Sequence, residues 1–268
     1  MAQVLAIANQ KGGVGKTTTS VNLACALARL GQRVLLVDLD PQGNATMGSG
    51  VDKRGLVASV YQVLIGERTI REAIVDTPQA GYALLPANRE LAGAELDLVE
   101  LDARELRLRD ALAGVANAYD LVVIDCPPSL SLLTLNGFCA ARHVIIPMQC
   151  EYYALEGLSD LVNTVRKVHA NFNPELGILG LLRVMFDPRM ALSQQVSGQL
   201  EGHFGDKVFK TVVPRNVRLA EAPSHGLPGL IYDPQSKGAQ AYLAVGEELL
   251  ARLAPPVDAP ALQPETQA

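Results

Sequence analysis

Residues 3–40 read QVLAIANQKGGVGKTTTSVNLACALARLGQRVLLVDLD, and the order of parts within them decides the fold. Val4–Ala8 is a short apolar run of strand type. Thr17–Leu30 carries helical periodicity and is stopped by Gly31, where a left-handed cap residue is expected. Arg33–Leu39 is a second apolar strand that delivers Asp38 and Asp40 at its end. Between the first strand and the helix stands KGGVGKTT, Lys11 to Thr18. Gly12, Gly13 and Gly15 let the backbone turn tightly and aim N–H groups at phosphate oxygens, and the helix starting near Lys16 adds its dipole. In such a loop Lys16 reaches the β- and γ-phosphates and the Thr17 hydroxyl binds Mg²⁺, while Val14 and Thr18 complete the cradle.

Further along, the same alternation repeats. Asp120–Asp125, His143–Met148, Ile178–Phe186 and Val208–Val213 read as strands, and Leu130–Ala141, Leu155–Phe172 and Ala191–Phe204 as helices. Near-continuous apolar runs fit parallel strands buried on both faces. The expectation is an α/β fold: a doubly wound, mostly parallel sheet with helices on both faces. Residues 48–118 read mostly as loop and helix, with one short strand at Tyr82–Pro86. A final helix is expected near Gly238–Leu253. Residues 1–254 are assigned to one ATPase domain. Residues 255–268, with four prolines and no apolar periodicity, are assigned to a disordered tail.

Composition narrows the function classes. The chain has 268 residues, 49% hydrophobic, with 23 Gly and no Trp, so its core rests on Leu, Val, Ile and Ala. Cys25, Cys126, Cys139 and Cys150 form no CxxC pair, which suits buried free thiols in a reducing cytosol. There is no signal-peptide pattern and no run of about 18 apolar residues, so neither export nor a membrane span is expected.

Two more acidic positions complete the candidate site. Asp125 closes DLVVID before Pro127 and Pro128, as a carboxylate that holds Mg²⁺ directly or through water does. Asp38 and Asp40 sit at the strand edge where open α/β sheets bind ligands, able either to serve the metal and water or simply to cap the following turn.

The strict pattern GxxxxGK[ST] fails, since Gln10 stands at its first glycine and an additional lysine follows at Lys11. With IANQKGGVGKTTTSVNLACALA, VLLVDLDPQGNAT, LAGAELDLV, DLVVIDCPPSLSLLTLNG, PMQCEYYALEGL and VVPRNVRLAEAPSHGLP, the chain resembles the ParA/MinD family of deviant Walker ATPases, in its chromosome-partitioning ParA (Soj) branch. The resemblance spans about residues 3–250. It implies that Lys11 crosses an ATP-sandwich homodimer to the partner's phosphates, that Asp40 is hydrolytic with Asp38 in support, and that Pro214 and Asn216 line the adenine pocket. ATP and Mg²⁺ are the implied cofactors, so that Lys11, Lys16 and Asp40 form the catalytic set and Thr17, Asp38 and Asp125 the metal set.

Charge adds a possible polyanion surface. The whole chain is −5, yet residues 183–218 carry six basic and three acidic residues, a local +3. The family resemblance implies nonspecific double-stranded DNA binding by Arg189 and Arg218. Lys210 lies in the same stretch, and Arg183, which departs from the family pattern, either extends the patch or pairs with an acid. A ParB-type partner is the implied trigger of hydrolysis, in a cytoplasmic, nucleoid-associated protein. The last helix is not followed by a basic amphipathic segment, so no MinD-like membrane anchor is expected, and from the short start no N-terminal operator-binding domain is expected. The alternatives are a positioning ATPase for a protein cargo, a metabolic enzyme on the same scaffold, and a noncatalytic nucleotide switch.

Overall fold

A strand buried on both faces must be apolar at every position, and side chains of opposite parity then feed two separate cores. The computed structural model, which describes residues 2–152 and 154–254 with the side chains of 154–156 excepted, shows this arrangement. The expected tail, residues 255–268, lies outside the described residues. In β1 (Gln3–Ile7), Leu5 and Ile7 face one core and Ala6 faces the other. In β2 (Val34–Asp38), Val34 and Leu36 join Leu5, while Leu35 and Val37 join Ala6. The remaining strands are β3 (Val75–Thr77), β4 (Tyr82–Leu85), β5 (Leu121–Asp125), β6 (His143–Met148) and β7 (Gly177–Arg183).

The seven strands lie in the order β3-β4-β2-β5-β1-β6-β7. Every pairing is parallel except β3 with β4. The expected doubly wound sheet is therefore present. β3 is an addition: only three residues long, it pairs back through the turn at Thr77–Gly81, where Gly81 takes φ 83°. The helices match the expected ones to within two residues: Lys16–Arg29, Leu132–Ala140, Ala154–Asn171, Ala191–Phe204 and Lys237–Leu253. The first and last of these pack together on the Leu5 face, where Leu23, Leu27, Tyr242 and Leu249 are fully buried. Each such leucine contributes roughly 2 kcal/mol of transfer free energy.

Register places the chemistry. Ile7 pairs with Asp125, and Asp125 pairs with Asp38, so β1, β5 and β2 end level with one another. The chain winds from β1 toward β2 on one side and reaches β6 and β7 on the other, so the loop after β1 lies over the point where strand order reverses.

One expected strand is absent. Val208–Val213 meets β7 through one isolated bridge, between Leu181 and Val208, and through Val213 N donating to Arg183 O at 2.9 Å, while Phe186 bridges Pro214. Several of its other backbone groups are satisfied by side chains. Arg183 donates to Phe209 O (2.7 Å) and Lys210 O (3.3 Å), and Arg252 donates to Val208 O (2.9 Å). The Glu248 carboxylate accepts from the N–H groups of Lys210 (2.8 Å) and Thr211 (2.9 Å). Arg252 also lies over the Phe209 ring, 4.3 Å from its centroid. Polar side chains thus replace a strand ladder that β-type composition alone suggests.

This corrects the assignment of Arg183 to the DNA surface and bears out the alternative that it pairs with an acid. It is 6% exposed, pairs with Glu201 and donates to Ser197 Oγ at 2.6 Å, so its charge is used inside the protein and not on a DNA surface. Replacing it, as in Arg183→Met, strands two backbone carbonyls. The expected loss is about 2 kcal/mol, a fall of roughly 4–8 °C in Tm for a chain of this size. Thermal melting checks this; an unchanged Tm together with weakened DNA binding would return Arg183 to the surface.

Candidate nucleotide site

The phosphate loop follows β1 directly. Gly13 and Gly15 take φ 72° and 85°, left-handed values that a side chain disfavours, and Gly15 is the residue at which the Lys16–Arg29 helix begins. No side chain caps that helix, so its first N–H groups remain directed at the loop. This is a cradle for an anion.

Lys16 is the cation of the cradle. It is 7% exposed, and its ammonium donates to Lys11 O at 3.2 Å, turned into the loop instead of toward water. Burial lowers its pKa, while Asp125, Asp40 and the Cys126 side chain oppose that shift. An ammonium desolvated in this way gains most when a polyanion arrives.

Asp125 and Asp38 are both fully buried, level with each other beneath the loop. Burial pushes the Asp125 carboxyl up, and neighbouring Asp38 adds to the shift; the Thr17 and Ser20 hydroxyls oppose it. Ser20 Oγ donates to Asp125 Oδ1 at 2.8 Å, whereas Oδ2 is buried without a hydrogen-bond partner. A buried carboxylate oxygen with no donor fits a cation, and the Thr17 hydroxyl beside it fits the same ion.

Asp38 differs. Its Oδ2 accepts from both Thr46 N and Thr46 Oγ1 at 2.7 Å, and its Oδ1 accepts from Asp40 N at 3.2 Å. Thr46 Oγ1 in turn accepts from Ala87 N at 2.9 Å. Burial raises the Asp38 carboxyl and these bonds to Thr46 oppose it. The expectation of Asp38 as a metal ligand is corrected here: its oxygens hold the loop that carries Asp40. Asp40 itself is half-buried, accepts from Gln42 N at 2.9 Å, and is close enough to influence Lys16.

Lys11 points elsewhere. Its side chain is half exposed and lies 2.6 Å from Glu151 Oε2, while its backbone N–H donates to Asn9 Oδ1. An exposed pair of this kind is held by about 1 kcal/mol or less and is readily exchanged.

On the other flank, Pro214 and Asn216 border a cleft of about 140 Å³ that also includes Gly15, Thr18, Met185 and Tyr242. The Asn216 Oδ1 accepts from Leu219 N at 3.3 Å and caps the Val217–Glu221 helix. Its amide is thereby fixed with the Nδ2 donor left for another group. Tyr242 OH meets Thr19 Oγ1 at 3.0 Å and joins the last helix to the first turn behind the loop.

Of the basic residues, Arg189 is 88% exposed and paired with Asp187 at 2.7 Å. Arg218 is 53% exposed, with Glu221 at 2.9 Å and Asp233 at 3.4 Å. Lys210 is exposed. Arg215 is exposed too and has no hydrogen bond or ion pair among the described residues.

Several site residues escaped the sequence reading. Gln149 Nε2 donates to Gly13 O at 3.1 Å, Glu151 holds Lys11, Ser20 holds Asp125, and Thr46 holds Asp38. Gln149 and Glu151 lie within PMQCEYY, directly after the apolar strand HVIIPM; their position at a strand end was the available signal.

The four cysteines are buried and free, and no group of His, Cys, Asp and Glu among the described residues could hold a metal ion by itself. No described helix is long and apolar enough to cross a membrane.

Comparison with known proteins agrees with this geometry. An AAA domain family matches residues 2–178. The chain is 53% identical to the sporulation initiation inhibitor protein Soj of Bacillus subtilis, over 94% of this chain and 99% of that protein. It is 50% identical to the chromosome partitioning protein ParA of Myxococcus xanthus, over 95% and 90% of the two chains. Among solved structures, a Mycobacterium smegmatis protein described as cobyrinic acid a,c-diamide synthase, with bound ADP and magnesium, superposes with a TM-score of 0.83 at 42% identity, covering 93% of this chain and 94% of that one. With its glycine loop, its two lysines and its buried strand-end carboxylate, the chain belongs to the ParA/MinD family of deviant Walker ATPases, in the branch of ParA and Soj partitioning proteins.

Proposed function

We propose that this ATPase partitions DNA by switching between a free chain and an ATP-bound pair of chains that holds DNA without reading its sequence. The observation that carries the reading is the pair of lysines on one loop with opposite placements. Lys16 is buried and turned into the loop, whereas Lys11 is outside it on an exposed, weakly held pair with Glu151. One cation serves the chain's own phosphates and the other is free to serve those of a second copy.

Each residue then has a task. Lys16 and the loop N–H groups bind the β- and γ-phosphates, and Lys11 of a second copy offsets charge developing during transfer. Asp40 orients the attacking water, held in place by Asp38 and Thr46. Thr17 and Asp125 would hold Mg²⁺, which supplies charge neutralisation at the phosphates when bound. Pro214 and Asn216 flank the adenine. Arg189 and Arg218 exchange their carboxylate partners for DNA phosphates, with Lys210 beside them in sequence. A ParB-type partner stimulates hydrolysis and releases the pair. The setting is the cytoplasm, at the nucleoid.

Turnover with DNA and a ParB-type peptide, alone and together, tests the whole reading: stimulation by both together is expected, and no ATP turnover under any condition would sink it. Two substitutions separate the steps. Lys11→Ala should bind ATP yet remain monomeric in gel filtration, because Lys16 still holds the nucleotide. Asp40→Ala should bind ATP, lose most turnover, about 100-fold or more, and accumulate as dimer. An Asp40→Ala chain that turns over normally would move the water-orienting role elsewhere.

The DNA surface makes a quantitative prediction. Arg218→Ala removes one phosphate contact from each of two copies. The slope of log affinity against log salt should flatten by up to about 1.8, at roughly 0.9 per contact. Fluorescence anisotropy on unrelated duplexes measures this. A slope unchanged by Arg189→Ala and Arg218→Ala together would place the DNA surface on another face.

A further inference from the structure

Met185 stands out among the described residues: with Ala103 it is one of two non-glycine residues at positive φ, at 50°. A left-handed backbone is disfavoured for any residue with a Cβ, and such outliers persist only where the surroundings over-determine them. Here they do. Val184 N donates to Met148 O at 2.9 Å and Phe186 N to Val213 O at 3.0 Å, so the chain is pinned on both sides of Met185 and must turn between them.

The turn aims the side chain at the nucleotide site. The Met185 Sδ accepts from Gln149 Nε2 at 3.1 Å, the same donor that holds Gly13 O. Its methyl lies 3.5 Å from where a Cβ on Gly15 would stand. Met185 and Val184 together form one wall of the cleft that Pro214 and Asn216 border. A glycine at this position would relieve the backbone and leave the wall open. A thioether is a polarisable, adaptable surface that packs well against an aromatic face.

We propose that Met185 is a nucleotide-positioning residue, held in a left-handed turn so that its thioether forms the wall on which the purine base of the nucleotide rests. The inference rests on the placement of the base beside Pro214 and Asn216. It assigns to Met185 the base and not the phosphates, which have their own cradle in the glycine loop. The strain is then retained because the side chain is needed where only this turn can bring it.

The test uses a probe with a base, ADP, and two base-free probes of the phosphate cradle, inorganic pyrophosphate and tripolyphosphate, each titrated calorimetrically with Mg²⁺ into the full chain. Met185→Gly should weaken ADP by about 10-fold and leave tripolyphosphate within about 2-fold. Without ligand, that variant should melt no more than about 2 °C below the wild type, because a left-handed turn suits glycine. In steady state KM for ATP should rise with little change in kcat. Met185→Leu, which keeps the wall's volume, should stay within about 3-fold of wild type for ADP. The proposal is overturned if Met185→Gly binds ADP as tightly as wild type. Equal losses of ADP and tripolyphosphate with a large fall in Tm overturn it too, making Met185 a packing residue. Loss in Met185→Leu as deep as in Met185→Gly would remove the wall. Wild type that binds ADP no more tightly than inorganic pyrophosphate, which carries the same number of phosphates, would instead refute the base placement beneath the proposal, independently of any Met185 variant.

Discussion

Two carboxylates buried side by side are the constraint around which the rest is arranged. Parallel register fixes Asp38 and Asp125 level with each other at the ends of adjacent strands, away from water. Both carboxyls are pushed up by burial, so each ionises at a cost in folding free energy that grows as pH rises above the unfolded value. The fold meets this cost unequally. Asp38 receives three hydrogen bonds and becomes the anchor of the loop carrying Asp40. Asp125 receives Ser20 on one oxygen and nothing on the other. That imbalance leaves one uncompensated carboxylate beside Thr17 and Lys16, which is the local condition a cation relieves.

The glycine loop extends the same logic to its own shape. Its two left-handed glycines need no side chain, but a loop with only glycine at its joints is entropically loose. The segment after β6 compensates from above: Gln149 holds Gly13 O, and Glu151 holds Lys11. Gln149 is an uncharged donor whose bond goes to a backbone carbonyl, not to the anion site. Glu151 is an exposed anion whose hold on Lys11 competes with any phosphate. The loop is thus firmly shaped where the chain's own ligand sits and lightly tethered where a second copy would approach.

Much of this was legible from residue order alone. The strand–loop–helix–strand unit, the strand ends at Asp38, Asp40 and Asp125, and most helix bounds follow from apolar period and from glycine placement, which are local signals. Val208–Val213 failed because its β-type residues say nothing of Arg183, Arg252 and Glu248, distant side chains that satisfy its backbone. The strand β3 failed for a similar reason: three residues acquire strand geometry only from a neighbour already in place. The metal role of Asp38 was misread because a carboxylate at a strand end looks the same in sequence whether its oxygens are free or held by Thr46. Arg183 stayed open between surface charge and partner of an acid, since composition gives net charge and not burial. Met185 carries no sequence signal at all, because backbone strain appears only when both flanking hydrogen bonds are seen.

Counting burial changes the electrostatic argument for DNA. With Arg183 enclosed and Arg189 and Arg218 each facing carboxylates, the exposed arginines of this stretch form a weak patch, in which Arg215, without a hydrogen bond or ion pair among the described residues, still acts on Asp187 across space. A single patch in a −5 chain would release a phosphate backbone easily at physiological salt. That weakness suits a switch. Were one copy strongly basic, it would bind DNA whether or not nucleotide was present, and ATP would control nothing. In the proposed pair, two weak patches joined rigidly would hold one duplex with an avidity that can exceed the single affinity by about 10²-fold or more. Separation of the pair would discard that factor at once, without any rearrangement of the patches themselves. Under that proposal, the carboxylates that face these arginines at the surface would set the contrast between the two states.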